Sequence, residues 1–240
     1  MFIFIHRFFF MKILLVAATA FEISPFLNKL NFVQKTDDFL QQYRLNDTSI
    51  DVLIPGVGMM VTAFHMGRQF SLEKYDLSIN AGICGSYTHT IRIGDVVEII
   101  EDCLSELGAE NKEQFLSVFD LGLLDPNSKP YINGKLIKTL KTESKVLEKL
   151  PKVKGISVNT VHGNRKSIEQ VKSLFSPVTE SMEGAAFLYA SLSERIPCTQ
   201  IRAVSNYVEE RDKTKWDLTI ALKNLNIVLF NFVKELDNKE

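Results

Sequence analysis

The chain reads as an α/β domain, doubly wound or three-layered. Continuous aliphatic runs, of the kind a parallel strand needs because both its faces are covered, alternate with segments of helical period. Short glycine-bearing stretches follow several of these runs, and no internal repeat or low-complexity linker divides the 240 residues. That length suits one sizeable domain or two small ones, and 45% hydrophobic content supplies a large core.

Met11–Ala18 is a continuous aliphatic run and the expected first strand. Phe21–Leu30 follows as a short helix, with Pro25 expected near its start. Phe39–Leu45 and Ser49–Ile54 read as paired strands joined by the turn-prone Asn46-Asp47. Pro55-Gly56-Val57-Gly58 then punctuates the chain before a helix over Met59–Phe70. A strand at Asp76–Asn80, a loop at Ala81–Gly85 and a strand at Arg92–Ile100 come next. Glu101–Lys129 is polar with Gly and Pro and reads as a surface excursion that could carry a lid. Leu136–Leu150 is expected to be helical, ended by Pro151, then a strand at Lys154–Asn159 and a helix at Ile168–Phe175. A helix through Ser193, a strand at Thr199–Val204 and a last helix from Trp216 to Leu236 complete the pattern.

The N-terminus admits two readings. Met1–Phe10 with the following MKILLVAATA could pass for a secretory signal ending at Ala18-Thr19-Ala20. Against that, Lys12 interrupts the apolar run, the first six residues carry no fixed positive charge, and the run is too short to span a bilayer. Met11 is therefore the expected functional start, with residues 1–10 a non-native or mis-called extension and 11–240 the domain.

The formal net charge of -1, with basic residues scattered, gives no electrostatic footprint for nucleic acid or for an anionic membrane. A small-molecule partner is expected. Cys84, Cys103 and Cys198 are odd in number and lack the paired spacing of a zinc site, so they read as reduced thiols in a cytoplasmic protein. His65, His89 and His162 have no spacing that implies a metal. No cofactor or metal is expected.

Chemistry concentrates in four loops that are expected to follow strands: Thr19–Glu22, Gly56–Gly58, Ala81–Gly85 and Ser205–Tyr207. The lysine and hydroxyl residue of a phosphate-binding P-loop are missing, which argues against a nucleoside triphosphatase. To these is added T-E-S-M-E-G-A-A, Thr179–Ala186. Its acids Glu180 and Glu183 sit at or just before a helix start, where the helix dipole favours negative charge. Glu183 either caps that helix or faces a pocket at the carboxyl ends of the strands.

These residues resemble the nucleoside phosphorylase and nucleosidase superfamily. The motifs M-K-I-L-L-V-A-A-T-A-F-E (11–22), P-G-V-G (55–58), I-N-A-G-I-C-G (79–85), I-G-D-V-V (93–97), S-M-E-G-A-A (181–186) and R-A-V-S-N (202–206) fall in its order and rough spacing. The resemblance covers nearly the whole chain from Met11 and implies a single three-layer domain with a mixed central sheet flanked by helices. Within the superfamily, E-S-M-E-G-A-A and Q-I-R-A-V-S-N-Y-V-E-E-R-D-K-T-K-W (200–216) look most like the futalosine hydrolase family, whose members release hypoxanthine from futalosine in a menaquinone pathway.

Carried onto matching positions, the resemblance implies that Glu22 activates the attacking water and that Met182 and Glu183 face the ribose. It places Asn206 against the imidazole side of a purine. It also makes Ile83, Cys84 and Gly85, with the base loop Asn159, Thr160, Val161 and His162, part of the substrate site. It implies a homodimer or larger homo-oligomer. Two positions depart from relatives. Asn206 stands where the methylthioadenosine and adenosylhomocysteine nucleosidases carry an aspartate that protonates N7 of adenine. An amide is no general acid near neutral pH, but it can donate to a carbonyl O6 and accept from N7–H, which fits hypoxanthine. Asn80 and Ile83 stand where bacterial phosphorylases carry an arginine and a small hydroxyl residue for phosphate, so water is the expected nucleophile. Futalosine ends in a benzoate, for which Arg211, Lys213, Arg165 and Lys166 are candidate cations.

Overall fold

A computed structural model describes residues 11–139 and 142–238, so the extension expected at residues 1–10 lies outside the described residues. The strands of the first half are β1 (Lys12–Val16), β2 (Asn31–Lys35), β3 (Leu40–Leu45), β4 (Thr48–Leu53), β5 (Leu77–Ser86) and β6 (Val96–Asp102). Those of the second half are β7 (Gly108–Asn111), β8 (Gln114–Ser117), β9 (Leu136–Ile137), β10 (Lys152–Ser157), β11 (Thr179–Ser181) and β12 (Cys198–Tyr207). The helices are α1 (Ala20–Leu27), α2 (Met59–Leu72), α3 (Lys145–Glu148), α4 (Arg165–Phe175), α5 (Gly184–Ser193) and α6 (Leu218–Asp237).

The central sheet is mixed and runs β11-β10-β6-β12-β5-β1-β4-β3-β2, with β9 added on β6. β1 pairs in parallel with β4 and β5, whereas β12 pairs in parallel with β5 and antiparallel with β6. At one end the sheet curls until β11 meets β5, closing five strands on themselves. At the other end β2 and β3 form an open antiparallel edge.

The side-chain alternation of β1 divides the core into two. Ile13 and Leu15 pack with Ile23 and Phe26 of α1 and with Leu225, Leu229 and Phe232 of α6. Leu14 and Val16 pack on the opposite face with Met66 and Phe70 of α2 and with Phe187 and Leu188 of α5. These side chains are at most 5% exposed, and each contributes roughly 1.5–3 kcal/mol of burial. A central sheet with helices on both faces is the three-layer domain expected.

Four expectations need correction. Ala81–Gly85 is not a loop but the second half of β5, which continues to Ser86. The glycines there give room: a Cβ on Gly82 would collide with the Arg202 guanidinium and the Glu22 carboxylate, and one on Gly85 with Val208. Ser205–Tyr207 likewise belongs to β12, with a bulge between Val204 and Asn206 that bends the strand end. Leu136–Leu150 is not one helix. Leu136–Ile137 adds to the sheet, and of the described residues in that range only Lys145–Glu148 are helical, capped by the Ser144 hydroxyl. Pro25 lies inside α1 rather than near its start, and the Ser24 hydroxyl reaches the Phe21 carbonyl at 3.5 Å beside the missing N–H. The excursion after β6 carries the small β7–β8 hairpin, and the wholly exposed β2 has no counterpart in the sequence reading.

Candidate active site

Glu22 is the third residue of α1, and its position there gives it two jobs. Its Oε2 accepts from the Thr19 N–H and the Thr19 hydroxyl, each at 3.0 Å, which caps the helix. Its Oε1 accepts from the Ile83 N–H of β5 at 3.1 Å. Donors on two elements hold the carboxylate in one orientation at the wall of a cavity of about 350 Å³, a size suited to a small ligand.

Glu183 stands between β11 and α5, directly before the helix. Its side chain makes no cap hydrogen bond; instead Oε1 accepts from the Gly58 N–H at 3.0 Å, and Oε2 lies 3.7 Å from Arg202 Nη2. Of the two readings open in the sequence, the cavity-facing one describes this side chain. Burial raises the Glu183 pKa above the ordinary carboxylate value, opposed by the Arg202 charge and the Gly58 N–H and reinforced by the nearby Glu22. Gly58, at φ 108, has the backbone conformation glycine adopts freely, and so can aim its N–H at this carboxylate.

Asn206 follows the β12 bulge. Its Nδ2 donates to the Tyr207 carbonyl at 3.0 Å, and its Oδ1 accepts from the Ser205 hydroxyl at 2.8 Å. A carbonyl only accepts, so the amide orientation is fixed, with one N–H and one lone pair left over.

Glu22, Glu183 and Asn206 all line the cavity, together with Ile83, Cys84, Gly85, Val161, His162 and Met182. Asn159 and Thr160 do not. Both are exposed where the chain leaves β10, and the Asn159 N–H donates outward to Glu106 at 2.6 Å. Glu180 is also displaced from its expected place at the helix start. It lies on β11 and binds His162: Oε2 is 2.7 Å from Nδ1 and accepts from the Tyr87 hydroxyl at 2.6 Å, while Oε1 accepts from the His162 N–H at 3.0 Å. The hydrogen bond to Glu180, and then the charge of that carboxylate, outweigh burial and raise the His162 pKa. Of the four candidate cations, only Arg211 lines the cavity, with its guanidinium 5.3 Å from the Trp216 ring centre.

Arg202 is the residue that sequence reasoning passed over. It is 1% exposed on β12, donates from Nε to Gln200 Oε1 at 3.1 Å and from Nη2 to Asn80 Oδ1, and packs over Gly82 beside the Glu22 carboxylate. A lone cation within an apolar strand run is the signal, since a buried charge needs a partner. Asn80 is held at both ends of its amide, because its Nδ2 also donates to the Val16 carbonyl at 3.0 Å.

A family model for the phosphorylase superfamily matches residues 12–234. The chain belongs to this superfamily. Among phosphorylase-superfamily proteins, it is 27% identical over 216 residues to futalosine hydrolase of Acidothermus cellulolyticus, covering 89% of this chain and 87% of that one. It is equally 27% identical over 210 residues to 5'-methylthioadenosine/S-adenosylhomocysteine nucleosidase of Maridesulfovibrio salexigens, covering 83% and 87%. The fold matches that of the latter activity's Streptococcus pneumoniae representative at TM-score 0.78, with 21% identity and 95% and 100% coverage. It matches Helicobacter pylori futalosine hydrolase at TM-score 0.77, with 18% identity and 94% and 98% coverage. The superfamily relatives are thus nucleosidases of two substrate types.

Proposed function

We propose that this chain hydrolyses the N-ribosidic bond of futalosine, releasing hypoxanthine and dehypoxanthine futalosine. The observation that carries the reading is the neutral amide of Asn206 in one cavity with two carboxylates, its free N–H and lone pair matching a purine that bears O6 and N7–H. Bond breaking develops positive charge on the sugar and negative charge on the leaving base. Glu183 would hold the ribose hydroxyls beside Met182, and its carboxylate would favour the cationic sugar. Glu22 would take one proton of the attacking water as its oxygen bonds to the anomeric carbon, while the bonding pair leaves with the base. Asn206 would stabilise that base through hydrogen bonds, with a proton reaching it from solvent. Ile83, Cys84, Gly85, Val161 and His162 would enclose purine and ribose, and Arg211 would meet the benzoate of the 5' tail.

Water as the nucleophile is supported by the two carboxylates, which repel an anion, and by Ile83, whose aliphatic side chain at the cavity wall offers phosphate no contact. The equal identity to a methylthioadenosine nucleosidase favours a second reading, cleavage of adenine nucleosides, which the amide at position 206 opposes. A protein that binds nucleosides without turnover would need Glu22 only for the helix cap made by Oε2, and would have no use for Oε1 held at the cavity wall by the Ile83 N–H.

Phe21, Val57, Met60 and Phe64 are 56–81% exposed around the cavity mouth and the adjoining face of α2, and support assembly into a homodimer or larger oligomer. Three free cysteines support a reducing, cytoplasmic location. No helix of the described residues is long and apolar enough to cross a membrane. Incubation with futalosine, methylthioadenosine and inosine, with and without phosphate, tests the reading by the free base that appears. Hypoxanthine from futalosine without phosphate is expected; adenine release alone, or a strict phosphate requirement, overturns it.

A further inference from the structure

Asp102, at the end of β6, is 1% exposed and does not line the cavity. Its Oδ1 accepts from the Cys103 N–H at 2.8 Å and the Ser157 hydroxyl at 3.1 Å, and its Oδ2 accepts from Gln200 Nε2 at 3.2 Å. The other end of the same amide, Gln200 Oε1, accepts from Arg202 Nε at 3.1 Å. Arg202 then reaches Asn80 and approaches Glu183. The start of α5 is built around this chain of contacts. The Ala185 N–H donates to the Ser157 hydroxyl at 2.7 Å, and a Cβ on Gly184 would collide with both Asp102 and Gln200.

We infer that Asp102 is a positioning residue for the reaction in the cavity: through the Gln200 amide it sets the Arg202 guanidinium against Glu183 and Glu22. The inference rests on the nucleosidase reading above. The reason is donor and acceptor arithmetic. An ionised carboxylate only accepts, so Gln200 must turn its NH2 towards Asp102 and is left with its oxygen for the Arg202 Nε–H. Turned the other way, the amide would set N–H against N–H among side chains that are at most 1% exposed. Burial pushes the Asp102 carboxyl up to about 6, against the Gln200, Ser157 and Arg202 interactions that lower it, and the three donors directed at its two oxygens are those an acceptor-only carboxylate takes. A carboxylate that costs this much to bury makes a poor stability device, which favours a role in geometry.

An exchange of groups tests this. In Asp102→Asn one oxygen becomes a donor, and the introduced NH2 faces the Gln200 NH2 and turns that amide against Arg202. Adding Gln200→Glu restores the pattern: the introduced NH2 donates to one oxygen of the new carboxylate, whose other oxygen accepts from Arg202 Nε. With whichever nucleoside the wild-type chain cleaves, D102N is expected to lower kcat about tenfold or more with KM within about threefold, and D102N/Q200E to recover most of the loss. Melting temperatures establish that each variant is folded. A folded D102N with wild-type kcat, or a loss that the exchange leaves in place, overturns the inference. If D102N does not fold, the double variant decides alone: near wild-type kcat supports the exchange, and a folded double variant slowed tenfold overturns it. A wild-type chain that cleaves none of the nucleosides tested brings down the nucleosidase reading and this inference together, whereas wild-type turnover with an unaffected D102N brings down this inference only.

Discussion

The two ends of the sheet bury different chemistry. Around β1 and β4 the buried residues are mostly aliphatic on both faces: Ile13, Leu14, Leu15, Val16, Ile50, Val52 and Leu53. The buried carboxylate there, Asp51, takes the Tyr75 hydroxyl at 2.6 Å and lies 3.5 Å from Lys12, away from the lining of the candidate site's cavity. The strands that close on themselves bury Asn80, Asp102, Ser157, Gln200 and Arg202, which bond to one another and lead to Glu183. The open end is organised to be stable. The closed end holds charge out of water, which costs stability and repays it only where that charge has work to do.

This contrast can be broken at either end. The largest effect is expected from Ile50→Ala on β4, a loss of about 2–5 kcal/mol in chemical denaturation with kcat unchanged below the new midpoint. A comparable loss of activity would show that the open end also shapes the site. Next comes Glu22→Ala, which should lower kcat by about two or more orders of magnitude in steady-state assays while leaving KM nearly intact. Near wild-type turnover would remove Glu22 from the chemistry. Asn206→Asp should then shift the ratio of kcat/KM for methylthioadenosine over futalosine about tenfold or more towards the adenine nucleoside; an unchanged ratio would take purine selection away from this position.

The smallest effect concerns His162, half-buried against Glu180. Its folded pKa lies above the ordinary histidine value of 6.5, so the native state holds the proton more tightly than the unfolded chain. That stabilisation is fully present below about pH 6.5 and is lost as pH rises through the folded pKa. The stability gap between wild type and His162→Gln, followed by denaturation across pH, should therefore be widest in acid and narrow towards alkaline pH. A gap that widens instead would reverse the assignment.

How much was legible follows the same division. A continuous aliphatic run discloses β1, because burial on both faces leaves its mark in the residues themselves, and the turn-prone Asn46-Asp47 between two candidate strands discloses the β3–β4 pair. The glycine-rich half of β5 and the polar end of β12 read as loops, because glycine and polar residues are poor strand formers in isolation. Glu22, Glu183 and Asn206 stand out through their motifs and come to one cavity wall, yet Asn159 and Thr160, on the same kind of argument, do not.

The order of residues by itself determined an alternating α/β chain with its aliphatic strands, because hydrophobic period is a local property. Only the folded molecule decided that Glu183 turns to Gly58 and Arg202 rather than to its own helix, and that Asp102, Gln200 and Arg202 form one connected set. Those contacts join residues as much as 125 positions apart, and their partners exist only once the sheet has closed.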